Sequence, residues 1–344
     1  MLTIKQLKEI RGFLEKAQKP LFIFDNDADG LTSYLLLKKK YQKGERLCLK
    51  ASPKTEGVVI SAAIHRHKPD LVVFLDIATL EEEITDNIRA PIVWIDHHPP
   101  IKREHVNYYN PRNGKRPDRK PTSYWSYQVV DENEWLAIIG ITADWFVPDN
   151  KILKKFKYKK LLGKTKNKKP PQLMFDTEYG KLIKVLYFCI KGTNDEMNES
   201  IDALEKIKDP LEILKQTTAN GKLLYKRYEK INKEYEKILN EALTHDNENV
   251  IVCTYPDKGR SFRSILSNEL LYRLKCKALI IATEKEHEVI MSLRSKGSTP
   301  IAPILKKALK KFRGYGGGHE HACGGGIIKE DFPKFLEMLK KEYN

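Results

Sequence analysis

The chain has 344 residues, enough for two compact domains, and its 41% hydrophobic and 31% charged content is that of a globular protein. No run approaches the roughly 18 apolar residues of a membrane span, and the five scattered cysteines contain no CxxC pair, against a disulfide framework or a zinc knot. Lys+Arg exceed Asp+Glu by 62 − 46 = 16, a balance that solubility alone accommodates and that a polyanionic partner would also explain.

Residues 1–20 read as an amphipathic helix with lysines spread along it, without the apolar core and cleavage site of a signal peptide, so a cytoplasmic protein is expected. Residues 21–25 (LFIFD) form a short buried-strand pattern followed by a helix over 31–41. Residues 71–76 (LVVFLD) and 92–96 (IVWID) repeat the pattern. Each run ends in an aspartate. Strands alternating with helices imply a doubly wound, mainly parallel sheet, in which ligands sit beyond the carboxyl ends of the strands.

From 151 to 170 there are ten lysines and no acid. Residues 196–243 then carry a helical stripe of Leu224, Tyr228, Ile231, Tyr235 and Ile238, spaced for one buried face. A second α/β unit starts near Asn249. Strands are expected at 250–254, 278–283 and 288–293, and helices at 262–274 and 301–312. A glycine-rich segment over 314–326 and a closing helix complete it. The expected layout is an N-terminal α/β domain (1–150), a basic and helical insertion or connector (151–248) and a smaller C-terminal α/β domain (249–344).

Four clusters point to chemistry. Asp25-Asn26-Asp27-Ala28-Asp29-Gly30 sits where a strand gives way to a helix; Asp25 and Asp27 point the same way on extended backbone, and Gly30 lets the helix start close to the strand. Hard cations such as Mn²⁺ or Mg²⁺ need such an oxygen-rich cage, although an acidic helix cap reads the same way. Asp76 alone is an ordinary strand-end aspartate. Asp96-His97-His98 is less ordinary: neighbouring histidines on a strand end should project to opposite sides, one toward metal and one toward substrate. Asp144, in Gly140-Ile141-Thr142-Ala143-Asp144, closes an apolar helix. Tyr124, Trp125 and Tyr127 are either base-stacking or core residues, and His65, His67 and His105 read as bystanders.

In this order the four motifs resemble the signatures of the DHH phosphoesterase superfamily, which includes RecJ-type exonucleases, nano-RNases and family II pyrophosphatases. Gly316-Gly317-Gly318-His319-Glu320-His321-Ala322-Cys323-Gly324, with Ser292-Leu293-Arg294-Ser295 upstream, resembles the DHH-associated C-terminal domain. The resemblance implies two Mn²⁺ ions, replaceable by Mg²⁺. One would be held by Asp25 and Asp76, the other by Asp27, Asp76, His97 and Asp144, with Asp76 bridging. His98 would meet the scissile phosphate, so that His98, Asp27 and Asp76 are the catalytic set. Arg294, Ser295, Gly317, Gly318 and His319 would bind substrate, the glycines cradling phosphate through their backbone and His321 packing beside His319. Family II pyrophosphatases and some nano-RNases carry a histidine four residues before the first aspartate. Leu21 stands there, as in RecJ-type members.

The resulting expectation is a RecJ-like exonuclease releasing mononucleotides from single-stranded DNA or RNA in a cleft between the lobes, with the lysine-rich segment gripping distant phosphates. The alternatives are a nano-RNase or short-oligonucleotide or 3′-phosphoadenosine 5′-phosphate hydrolase and, ranked lower, a replication-complex scaffold. Docking on replication or RNA-processing proteins is compatible with each.

Overall fold

The computed structural model describes residues 1–49, 56–114, 116–163, 169–245, 248–257 and 259–343. The chain divides into two compact units, one of residues 1–190 and 197–225, the other of 191–196 and 226–344. Most of the segment between 151 and 225 therefore packs with the first unit. Residues 164–168 of the lysine run lie outside the described residues.

In the first unit the strands β1 (Pro20–Asp25), β2 (Glu45–Leu49), β3 (Leu71–Leu75), β4 (Ile92–Ile95) and β5 (Asn107–Tyr109) form a parallel sheet in the order β2-β1-β3-β4-β5. β3 is buried along its whole length, as is β4, which explains their unbroken apolar sequences. The chain winds outward from β1 to β2 on one side and from β3 to β5 on the other. The switch between β1 and β3 opens a crevice at their carboxyl ends. Asp25 and Asp76 stand there, at the end of β1 and one residue past β3.

Helices Ala28–Tyr41, Thr122–Val130 and Glu134–Ala143 pack together. Gly140 makes this possible, because a Cβ there would lie 2.1 Å from the Thr32 hydroxyl and 2.5 Å from that of Ser123. The motif glycine is thus a packing residue that brings the end of the third helix, and Asp144, toward the crevice. A Cβ on Gly30 would meet the Asp25 carbonyl at 2.5 Å, in keeping with the tight strand-to-helix turn expected from the sequence.

The region read as helical over 196–243 is three helices, Asn194–Lys206, Pro210–Leu214 and Ala219–Leu243. Asp209 caps the second, with Pro210 at its first turn. The stripe Leu224, Tyr228, Ile231, Tyr235 and Ile238 is buried as its spacing required.

The second unit has a mixed sheet of β6 (Val250–Thr254), β7 (Ala278–Lys285), β8 (Glu288–Ser295), β9 (Gly314–His319) and β10 (Ala322–Ile328). Their order is β6-β7-β8-β10-β9, with only β6 and β7 parallel. The glycine-rich segment is therefore two paired strands. It is a hairpin at the sheet edge, where β10 pairs with β8 and β9 with β10, holding strands that glycine by itself disfavours. Helices Ile301–Ala308 and Phe332–Tyr343 cover one face through Met291, Leu293, Cys323 and Ile327.

Candidate metal centre

Asp27 is the N-cap of helix Ala28–Tyr41, its Oδ1 accepting the Gly30 N–H at 2.9 Å on extended backbone (φ −138°, ψ −177°). The cap and ligand readings of Asp27 are compatible, since a carboxylate has a second oxygen. Oxygens of Asp25, Asp27 and Asp76 lie within 4.8 Å of one another, and so do ligand atoms of Asp76, His97 and His98. His97 Nε2 is 3.4 Å from Asp76 Oδ1 and 3.7 Å from Asp144 Oδ2. Asp76 thus belongs to both groups, and it sits in the left-handed region at φ +60°. A non-glycine residue is held there only when its surroundings over-determine it.

The two histidines do not diverge as expected. Both lie past the end of β4, where strand alternation no longer applies, and their ring centroids are 4.6 Å apart. What separates their roles is hydrogen bonding. His97 Nδ1 lies 3.3 Å from the Arg119 carbonyl, an arrangement that puts the proton on Nδ1 and leaves Nε2 as the lone-pair donor toward Asp76 and Asp144. His98 Nδ1 donates to Asp96 Oδ1 at 2.8 Å.

Two further carboxylates position the site, through partners that no sequence pattern signals. Asp96 is fully buried and also accepts the His98 backbone N–H, the Tyr108 hydroxyl and the Asn110 amide, each at 3.1 Å. Asp29 is buried and accepts the N–H groups of Thr122 and Ser123 at 2.8 and 2.9 Å, at the start of helix Thr122–Val130. Thr122 in turn donates its hydroxyl to Asp76 Oδ1 at 3.1 Å. These links join residues 46 to 94 positions apart in sequence.

Electrostatically the cluster is crowded with carboxylates. Burial, then the charges of Asp29, Asp27, Asp144 and Asp25, push Asp76 well above the carboxylate range. Asp144 is raised likewise by burial, Asp29 and Asp27, with Arg112 opposing. Asp29 is raised to about 7 by burial and Asp27. Burial and His98 lower His97 to about 4, so it is neutral and can ligate. Burial also pulls His98 down, but the hydrogen bond and charge of Asp96, with Asp27 and Asp25, outweigh it and raise the group. Crowded oxygen donors whose ionised forms repel one another, beside a neutral imidazole, fit divalent cations such as Mn²⁺ or Mg²⁺. A cavity of about 500 Å³ opens on the cluster, lined by Asp25, Asp76 and His98 together with Leu80, Ile84 and Arg103.

In the second unit, cross-strand register sets His319, Ala322 and Arg294 in one row and Gly317, Gly324 and Ser292 in the next. Arg294 Nε donates to Asn268 at 2.8 Å, and His319 is exposed. A Cβ on Gly317 would meet nothing within 4 Å, and one on Gly324 only the Met291 carbonyl at 3.9 Å, so this face is open. Gly318 has φ +142°, where only glycine is at ease. Ser295 does not join them. It is buried, pairs with His321 Nδ1 at 2.9 Å and accepts the Ile301 N–H at 3.1 Å, as part of the support for the hairpin and helix. His321 therefore contacts Ser295 in place of the expected packing against His319. Trp125 and Tyr127 are core residues, and Tyr124 lies under Lys120, whose Nζ is 4.3 Å from the ring centre.

Residues 247–344 match the family model of the DHHA1 domain. Over 99% of the chain the fold is similar to RecJ from Thermus thermophilus with Mn²⁺ (TM-score 0.70, 17% identity), of which the chain spans 55%. It is also similar, over 99% of the chain, to the exonuclease RecJ bound to manganese (TM-score 0.66, 16% identity, 94% of that chain). A third similar structure is the DHH domain of a member of a family of ribosomal proteins (TM-score 0.68, 17% identity, 98% of this chain and 89% of that one). No curated protein matches the sequence. Among the described residues no helix is long and apolar enough to cross a membrane.

Proposed function

We propose that this chain, which has the two-domain DHH fold of RecJ and a DHHA1 domain at residues 247–344, is a metal-dependent phosphodiesterase that removes nucleotides from single-stranded DNA or RNA. The observation that supports it most is the convergence of Asp25, Asp27, Asp76, His97 and Asp144 on the crevice at the β1/β3 switch.

Asp25 and Asp76 would hold one cation, and Asp27, Asp76, His97 and Asp144 the second. When bound, such a pair supplies a water of lowered pKa and neutralises the charge that grows on the phosphate oxygens. The chain's own residues do the rest. Asp96 fixes the ring of His98 and favours its protonated form, so that His98, at the edge of the cavity, can donate to a phosphate oxygen. Thr122 and Arg119 fix the orientation of Asp76 and His97. The cavity is within the range of small-ligand sites and suits one nucleotide. On the second unit, the open glycine face beside His319 and Arg294 suits close approach of a sugar-phosphate backbone. Gly317 and His319 present that face, Arg294 borders it, and Gly318 and Ser295 shape the hairpin behind it.

The test is digestion of 5′- and 3′-labelled DNA and RNA single strands with Mn²⁺, alongside a dinucleotide. Stepwise shortening to mononucleotides is expected. Turnover of the dinucleotide with the longer strands intact would favour a short-oligonucleotide hydrolase instead, and intact substrates throughout would refute the reading.

A further inference from the structure

Asp144 ends helix Glu134–Ala143 as its C-cap, and the next residue, Trp145, has φ +65°. The Trp145 N–H donates to the Thr142 carbonyl and the Phe146 N–H to that of Ile141, both at 3.0 Å. This is the bonding of a Schellman motif, whose left-handed position is ordinarily glycine because a Cβ is disfavoured there. A tryptophan is among the bulkiest choices for it. Trp145 is also 39% exposed, followed by Val147 at 48%, whereas Trp94, Trp125 and Trp135 are 0%, 3% and 5% exposed. Trp145 thus combines a left-handed backbone with an indole more exposed than those of Trp94, Trp125 and Trp135, one residue from a candidate metal ligand. Backbone strain of this kind clusters where a side chain must be presented to a ligand.

We infer that Trp145 is a stacking platform for a nucleobase of the single strand, next to the phosphate being cut. This rests on the phosphodiesterase function proposed for the metal centre and adds a contact to it. Trp145 directly follows Asp144, whose Oδ2 lies 3.7 Å from His97 Nε2, so its backbone borders the metal cluster. An aromatic face accepts any base, so this contact would serve a processing enzyme without sequence preference. Trp125 and Tyr127, by contrast, are buried in the core. The net charge of +16 supports a polyanion over an apolar protein segment as the occupant of this exposed patch.

Trp145 is far more exposed than the other three tryptophans, so its red-edge emission reports the contact directly. Adding a phosphorothioate-linked single strand of about 10 nucleotides to the Mg²⁺-loaded full chain is expected to quench that emission. Trp145→Leu should weaken binding of the same strand about 5- to 150-fold. Trp145→Phe should recover most of the affinity without the quenching. Both variants should retain kcat on methyl p-nitrophenyl phosphate, which offers no neighbouring base. A parallel digestion of an ordinary strand separates the two ideas. Digestion with unchanged emission, or Trp145→Leu binding as tightly as wild type, overturns the stacking assignment and leaves the phosphodiesterase standing. Neither digestion nor quenching overturns both.

Discussion

Raising the pH of the metal-free chain through neutrality should destabilise its first unit, and divalent cation should reverse the trend. Asp29 is 2% exposed, and its pKa is raised from 3.8 to about 7. A carboxyl whose folded value lies above its unfolded one contributes stability that is present below the unfolded value and lost as pH rises through the folded value. The difference at Asp29 corresponds to on the order of 4 kcal/mol. His97 acts in the opposite sense. Its value falls from 6.5 to about 4, so across that window the fold gains on the order of 3 kcal/mol as pH rises. The two nearly cancel below pH 6.5. Above it His97 no longer titrates, and Asp29 is joined by Asp76, Asp144 and His98, all raised, with the same sign. The assay is urea unfolding in a chelator, followed by tryptophan fluorescence; Trp94, Trp125, Trp135 and Trp145 all belong to the first unit, so the signal is specific to it. The midpoint should fall as pH rises from about 6.5 through the Asp29 value of about 7 without metal, and rise over the same range with Mn²⁺, because ligands must ionise to bind it. A metal-free midpoint that stays level or rises would refute the charge-crowding argument.

Three substitutions probe the positioning groups. Thr122→Val removes the hydroxyl bonded to Asp76 at nearly constant volume, and should weaken Mn²⁺ binding about 10- to 100-fold by calorimetry. Asp96→Asn keeps the shape but loses the charge that favours protonated His98; steady-state kinetics should show kcat down by about 10²-fold or more with KM little changed. On the hairpin, Gly317→Ala should leave the melting temperature unaltered and raise KM, since its Cβ enters open space on the exposed face. Gly318→Ala should instead lower the melting temperature, because at φ +142° its Cβ would lie 2.4 Å from the Ala322 carbonyl.

The edge that gathers the acids is legible because three unbroken apolar runs each end in an aspartate: β1, β3 and β4 carry Asp25, Asp76 and Asp96 to one side of the sheet. β2 and β5 are not. One is a partly exposed edge strand and the other has three residues, too few for a period to register. The hairpin of β9 and β10 is hidden by its composition, since β10 is held by pairing with β8, and β9 by pairing with β10, and neither by propensity. Asp29 and Asp96 stood inside recognised motifs, yet their work depends on partners such as Thr122 and Asn110 that only the fold brings near. Arg294 and Ser295 are neighbours in sequence, but β8 alternation sends their side chains to opposite faces. Trp145 was invisible for a related reason, because its significance lies in a backbone angle.

Anomalous diffraction from crystals grown with Mn²⁺ tests most directly whether Asp25, Asp27, Asp76, His97 and Asp144 hold paired cations. The expected map has two peaks roughly 3.5–4 Å apart, both bonded to Asp76, with Asp25 on one and His97 and Asp144 on the other. Manganese bound elsewhere, with Asp76 contacting none, would contradict it.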